Sequence, residues 1–236
     1  MKFVDPTGTL TDDYYSLTNG KYLGSDAYGT SARLIDPELY RTITGNNVMT
    51  KNLSSIEALR DNSTAIFVDW NQIEEHAQNV ADLSRASQLE YQAILVLDRE
   101  NATITSVAGP IGTNSNAEIP YYPAPLTGVS FYDRPGGLII IGEVHGHPAS
   151  KEAGMSTEHT MSPGFDVPLA IRMQIPIYGI DAMYGKRGDS MPVHMVTPNG
   201  TVINNVRKTR GDNYYGNYSN WGLEALKYWG KSSYPQ

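Results

Sequence analysis

GGLIIIGEVHGHP, residues 136–148, reads as a strand buried on both of its faces. Four consecutive β-favouring apolar residues, 138–141, follow a Gly-Gly pair, and a short apolar run between breakers is the pattern of a mid-sheet strand. Side chains alternate along a strand, so His145 and His147 project to one side, while Gly146 between them leaves room on the other. Two imidazoles one strand-step apart make a chelate for a single metal ion. Pro148 cannot continue the ladder, which puts the pair at a strand end, where a pocket can open.

The composition narrows what such a site can be. The chain has 236 residues, 40% of them hydrophobic and 18% charged, which is long and apolar enough for a sizeable core. A net charge of −7 and the lack of any Lys/Arg cluster argue against a nucleic-acid partner and against a basic membrane-surface helix. No stretch approaches the ~20 apolar residues of a bilayer span, and the N-terminus MKFVDPTGTL has neither the apolar core nor the cleavage pattern of a signal peptide. Without cysteine there is no disulfide framework and no thiolate site, so zinc would take histidine and carboxylate ligands. Sixteen tyrosines and 22 glycines against four phenylalanines suggest loop-rich margins around a modest core.

Along the chain, residues 5–50 carry turn signals at Asp5-Pro6-Thr7-Gly8, Asn19-Gly20 and Asp36-Pro37, predicting short extended pieces and turns. The spacing predicts a short helix over 54–60 and a longer one over 71–89, with Ile73, Ala77, Val80, Leu83 and Ala86 on one face. His76 falls near that face and reads as an ordinary helix histidine. Strands over 91–97 and 103–107 are separated by a hairpin-length turn. Residues 109–135 and 149–161 read as irregular connections, the former long enough to suggest a functional loop. Beyond them come a short helix over 166–173, strands over 175–180, 193–197 and 201–207, and an amphipathic helix over 221–229. The order implies an α/β chain, an α+β mixed sheet flanked by helices, with too few β/α units for a TIM barrel.

A hydrolytic zinc site needs a third protein ligand and one open position. Asp166 is the first choice, near the start of a helix for which Ser162 would be the N-cap and Pro163 the first-turn residue. Complementing the helix dipole is the competing reason for an aspartate there. Glu152, Glu158 and His159 lie closer in sequence but in an irregular segment. The spacing His145-x-His147-x4-Glu152 also fits a cupin barrel, with His194 as a late ligand.

The arrangement of Glu90 in Leu89-Glu90-Tyr91, then His145-Gly146-His147-Pro148, then Ser162 and Asp166 resembles the JAB/MPN domain, the JAMM metallopeptidases. The likeness covers about residues 70–208, including the Thr197-Pro198-Asn199-Gly200 hairpin. It departs from the usual motif in a longer gap between His147 and Asp166 and in three residues, rather than two, between Ser162 and Asp166. The resemblance implies a cytidine-deaminase-like β-sheet flanked by helices and Zn2+ held by His145, His147 and Asp166. It also implies Glu90 as the base that passes a proton from the attacking water to the leaving amine, and Ser162 as a donor to the oxyanion. Residues 3–36, in FVDPTG, DDYYSLTNGKYLGSD and ARLID, resemble the junction that follows the core of Rhs-repeat proteins, where a C-terminal toxin domain begins.

Together these imply an Rhs-associated segment over 1–51, a JAB-like domain over 52–208 and a Tyr/Trp-rich extension over 209–236. The expected activity is that of a zinc metalloprotease, a peptide or isopeptide hydrolase acting on a protein substrate. The expected setting is a toxin secreted or delivered as part of a larger polypeptide and opposed by an immunity protein. The competing expectation is an inactive JAB-like binding module presenting Tyr214, Tyr215, Tyr218, Trp221 and Trp229.

Overall fold

A computed structural model describes residues 11–109, 111–112, 137–148, 161–182, 186–211 and 221–232. Most of the 109–135 connection, residues 149–160, and Glu152, Glu158, His159, Tyr214, Tyr215 and Tyr218 lie outside the described residues, as does FVDPTG. Among the described residues no helix is long and apolar enough to cross a membrane.

The described residues form two mixed sheets and five helices. The first sheet contains β1 (Asp13–Ser16), β2 (Tyr22–Asp26), β3 (Ala32–Ile35), β4 (Met49–Thr50) and β5 (Thr64–Ala65), in the order β4-β2-β1-β3-β5. It therefore takes strands from both sides of residue 51. Helices α1 (Pro37–Thr44) and α2 (Leu53–Asp61) accompany it. The expectation of turns and extended pieces alone over 5–50 is corrected by α1. Its Asp36-Pro37 signal is a helix start: the Asp36 side chain accepts from the amides of Glu38 and Leu39, Pro37 takes the first turn, and Gly45 closes the helix in the left-handed region.

The larger sheet is built from β6 (Phe67–Val68), β7 (Gln92–Asp98), β8 (Thr103–Ala108), β9 (Leu138–His147), β10 (Ile177–Asp181), β11 (Pro192–Val196) and β12 (Val202–Lys208). Their order is β12-β11-β10-β9-β7-β8-β6, which puts β9 mid-sheet. It pairs antiparallel to β7 and parallel to β10. Helices α3 (Trp70–Ser87), α4 (Asp166–Met173) and α5 (Trp221–Lys231) fall where the periodicity predicts helices. This open sheet with flanking helices is not the closed barrel that the cupin alternative requires.

Two glycines of β9 set how closely the helices approach. A Cβ on Gly146 would lie 2.4 Å from Ser84 Oγ and 3.1 Å from the Val80 carbonyl of α3, and one on Gly142 would lie 3.2 Å from the Ala225 Cβ of α5. The absence of side chains at these positions brings both helices against one face of the strand. Around that contact runs a continuous core that includes Val80, Ile94, Leu95, Ile140, Val144, Tyr178, Trp221 and Trp229. With Trp221 and Trp229 at 0% and 1% exposure, neither is available as an aromatic binding surface.

The smaller sheet has its own apolar cluster of Tyr14, Ile35, Tyr40 and Leu59. The Tyr14 hydroxyl donates to buried Asp26 at 2.8 Å, and Arg60 of α2 pairs with Asp12 at 3.0 Å. Burial pushes the Tyr40 phenol up to about 12, and burial together with Asp26 raises Tyr14 further.

Two outcomes follow from this packing. Gly146→Ala forces an overpacked contact with α3 and should lower stability by about 1–3 kcal/mol, read as a lower urea midpoint at unchanged m. Because these phenols have folded pKa values above the unfolded 10.0, the stability they supply is complete below pH 10 and falls as pH rises through about 12. Thermal melts across that range should decline, and Tyr40→Phe should flatten the decline.

Candidate metal centre

Residues 142–147 of β9 alternate between two environments. Gly142, Val144 and Gly146 face α5 and α3, while Glu143, His145 and His147 face the other side, where α4 packs on β10 and β11. On that side Gly179 of β10 lies opposite His145, and Asp181 lies opposite His147. A Cβ on Gly179 would come within 2.7 Å of His147 Cε1 and 2.5 Å of Met161 Sδ. The missing side chain is thus the space that the His147 ring fills.

The third group comes from α4. Asp166 is its first residue, 7% exposed, and its Oδ2 accepts from the Ser162 amide at 2.6 Å. His145 Nε2 and His147 Nε2 are 2.8 Å apart. Asp166 Oδ1 lies 3.6 Å from the first and Oδ2 3.8 Å from the second. The last two separations are too long for hydrogen bonds. A tetrahedral ion bound at 2.0–2.1 Å sets its ligands about 3.3 Å apart, and the three spacings bracket that value. His145, His147 and Asp166 are therefore a buried group that could hold a metal ion.

The electrostatics favour positive charge at this point. His145 Nδ1 contacts Glu143 Oε2 at 2.9 Å and Oε1 at 3.2 Å, and Glu143 is 1% exposed. Burial alone would keep the His145 imidazole neutral. The charges of Glu143 and Asp166, the hydrogen bond that His145 donates to Glu143 and the charge of Glu90 outweigh it and push the pKa up to about 10. Burial raises the Glu143 carboxyl, His145 pulls it back down, and Asp166 adds to the rise. The proton of this pair belongs on the imidazole, since the charges of Glu143, Asp166 and Glu90 all act on the ring. A proton on Nε2 occupies the position a metal would take, so the two compete.

No family model and no curated protein matches the chain.

The structure brings together His145, His147 and Asp166 from the residues the sequence nominated. Glu90 is 8% exposed, directly ahead of β7, and close enough for its charge to act on His145. The expected N-cap role of Ser162 is corrected: α4 starts at Asp166, with Phe165 in the cap position and no side-chain cap bond. Pro163-Gly164 forms a further turn first, because Pro163 has no amide to give and Gly164 disfavours helix. What Ser162 supplies is backbone, its amide to Asp166 and its carbonyl to Val167 at 3.2 Å. His194 is apart from the group, its Nδ1 accepting from the Asn205 amide at 3.3 Å, and His76 sits on Ser106 Oγ at 2.7 Å, as an ordinary helix histidine does. Sequence reasoning missed Glu143 and Gly179. The signal for Glu143 was available, since it shares the parity of the two histidines.

Replacing His145, His147 or Asp166 by Ala should each abolish stoichiometric metal binding in elemental analysis. Gly179→Ala should weaken binding by at least about tenfold, as disturbance of a ligand's support does, while circular dichroism stays that of the parent. Full metal content in Gly179→Ala would show that His147 need not lie over β10 to bind.

Proposed function

We propose that this chain is a zinc-dependent peptidase of JAB/MPN type and the effector part of an Rhs-like exported protein. The observation that carries the reading is the convergence of His145 Nε2, His147 Nε2 and the Asp166 carboxylate in a buried group, with the charge of Glu90 acting on it. Its order in sequence, glutamate, His-x-His-Pro, serine, aspartate, is that of the JAMM signature. Two imidazoles and one carboxylate suit zinc, whereas calcium and magnesium favour all-oxygen sets. The Rhs setting is supported by residues 3–36 alone.

In this reading the two histidines and Asp166 hold the ion, and β9 and the start of α4 keep them rigid. Zinc, when bound, supplies Lewis acidity that makes a water acidic near neutral pH. Glu90 takes the proton released and carries it to the departing amine, a task for a carboxylate near the centre but not among its ligands. The Ser162 amide is engaged by Asp166, so its contribution to a tetrahedral oxyanion would come from Oγ. The substrate is a peptide or isopeptide bond in a protein.

Elemental analysis of the purified chain should give about one zinc per chain, as expected for a single three-ligand site. Glu90→Gln should keep that zinc and lower hydrolysis of a peptide library about 100- to 10,000-fold. A folded parent that takes up no zinc, or a Glu90→Gln variant as active as the parent, would overturn the assignment.

A further inference from the structure

The JAMM order accounts for Glu90, His145, His147, Ser162 and Asp166, and leaves the Glu143 carboxyl beside His145 unused. Glu143 is among the most enclosed side chains in the molecule, 1% exposed, on the central strand. An ionised carboxylate is kept in such a place only by a partner that compensates it. Both of its oxygens lie against a single atom, His145 Nδ1, at 2.9 and 3.2 Å.

We propose that Glu143 is a positioning residue that fixes the tautomer and the ring orientation of His145, so that Nε2 presents its lone pair to the metal. The inference rests on the metal site of the proposed peptidase.

The geometry decides the role. The two nitrogens of an imidazole are on opposite edges of the ring, and Nε2 of His145 is the one aimed at His147 and Asp166. Glu143 is therefore on the far side of the ring from the metal position and cannot be a ligand there. A carboxylate is an acceptor only, so its neighbour Nδ1 must carry a hydrogen, and a neutral imidazole then has its free lone pair on Nε2. Two oxygens on one N–H also resist rotation of the ring about χ2. A strand holds Glu143 and His145 on one side at fixed spacing, so the constraint comes from the same element as the ligand. Glutamine at this position could turn its NH2 toward Nδ1 and favour the other tautomer, in which Nε2 is protonated and cannot ligate.

The test measures binding, not hydrolysis. The full chain, stripped of metal, is titrated with zinc against a chelator and with cobalt(II), whose visible absorption reports the ligand geometry. Glu143→Gln should bind both ions about 10- to 100-fold more weakly, as loss of such a partner usually does, with a changed cobalt band. Val144→Ala is the control for general destabilisation: Val144 is 1% exposed on the opposite face of the same strand, and its loss should lower the melting temperature with affinity and cobalt band unchanged. Independently of any variant, 1H–15N spectra of the zinc-loaded parent should show a slowly exchanging proton on His145 Nδ1. Parent-like affinity and band in Glu143→Gln, equal weakening in Val144→Ala, or a His145 proton on Nε2 would each overturn the inference. A parent that binds metal but cleaves no peptide overturns the peptidase reading alone.

Discussion

The contact of α3 with Gly146 is the constraint on which the arrangement depends. Because Gly146 has no side chain, the helix can press against the even-numbered face of β9, with Ser84 and the Val80 carbonyl at the limit of approach. That seals one side of the strand in apolar core. It also fixes the opposite side, since a one-residue slip would exchange the two faces and drive Glu143, His145 and His147 into the helix layer. Moving a bare carboxylate into a medium of low dielectric costs on the order of tens of kcal/mol by Born solvation, so this register is strongly specified. The site is held in place as much by what cannot happen on the other face as by its own bonds.

What could be read from the sequence followed from how local each signal is. The His strand, the helical repeats over α3 and α5, and the hairpin at Thr197-Pro198-Asn199-Gly200 announce themselves within a few residues, and the structure has them nearly at the expected bounds. Asp36-Pro37 and Ser162-Pro163 show where local reading divides. Both dipeptides are turn and helix-start signals at once. After Asp36-Pro37 come good helix formers and α1 begins, whereas after Ser162-Pro163 a glycine delays α4 to Asp166. Ser162 and Asp166 meet all the same, through a backbone amide that no side-chain pattern advertises. Gly179 was illegible for another reason: its importance arises from the ring of a residue on a neighbouring strand, a pairing fixed only by the sheet order.

The aromatic C-terminal stretch gains its meaning from the same packing. Trp221 packs tilted against Tyr178 at 5.1 Å between ring centroids, and the Arg207 guanidinium lies 4.8 Å over the Trp221 ring. At the other end of α5, Lys21 donates to the Trp229 carbonyl at 2.9 Å and places its ammonium 3.4 Å over the Trp229 ring. A cation at a helix C-terminus opposes the dipole there, and its burial holds the Lys21 pKa down, at about 8. Tyr15 lies under Gly230 and belongs, with Ala32 and Leu34, to the same core as β9. The first sheet and the last helix are thus parts of one hydrophobic body, and the tryptophans are spent inside it.

Charge balance then bears on what the centre can hold. Glu143 and Asp166 are both buried, and among the described residues their ion pairs run to His145 and His147, not to Lys or Arg. Among the described residues, what can supply the positive charge is a proton on an imidazole, and a bound cation would serve in its place. One proton on His145 offsets only part of the negative charge of Glu143, Asp166 and Glu90. A divalent ion between the neutral imidazoles would offset more of it, and in a site this enclosed the difference is large, since pairing is what makes buried charge tolerable. The carboxylates that raise the His145 pKa are therefore the same groups that favour a dication once the proton has left. In the proposed reading the ion would bind by exchange, proton for metal, with an affinity set by residues that do not touch it as well as by those that do.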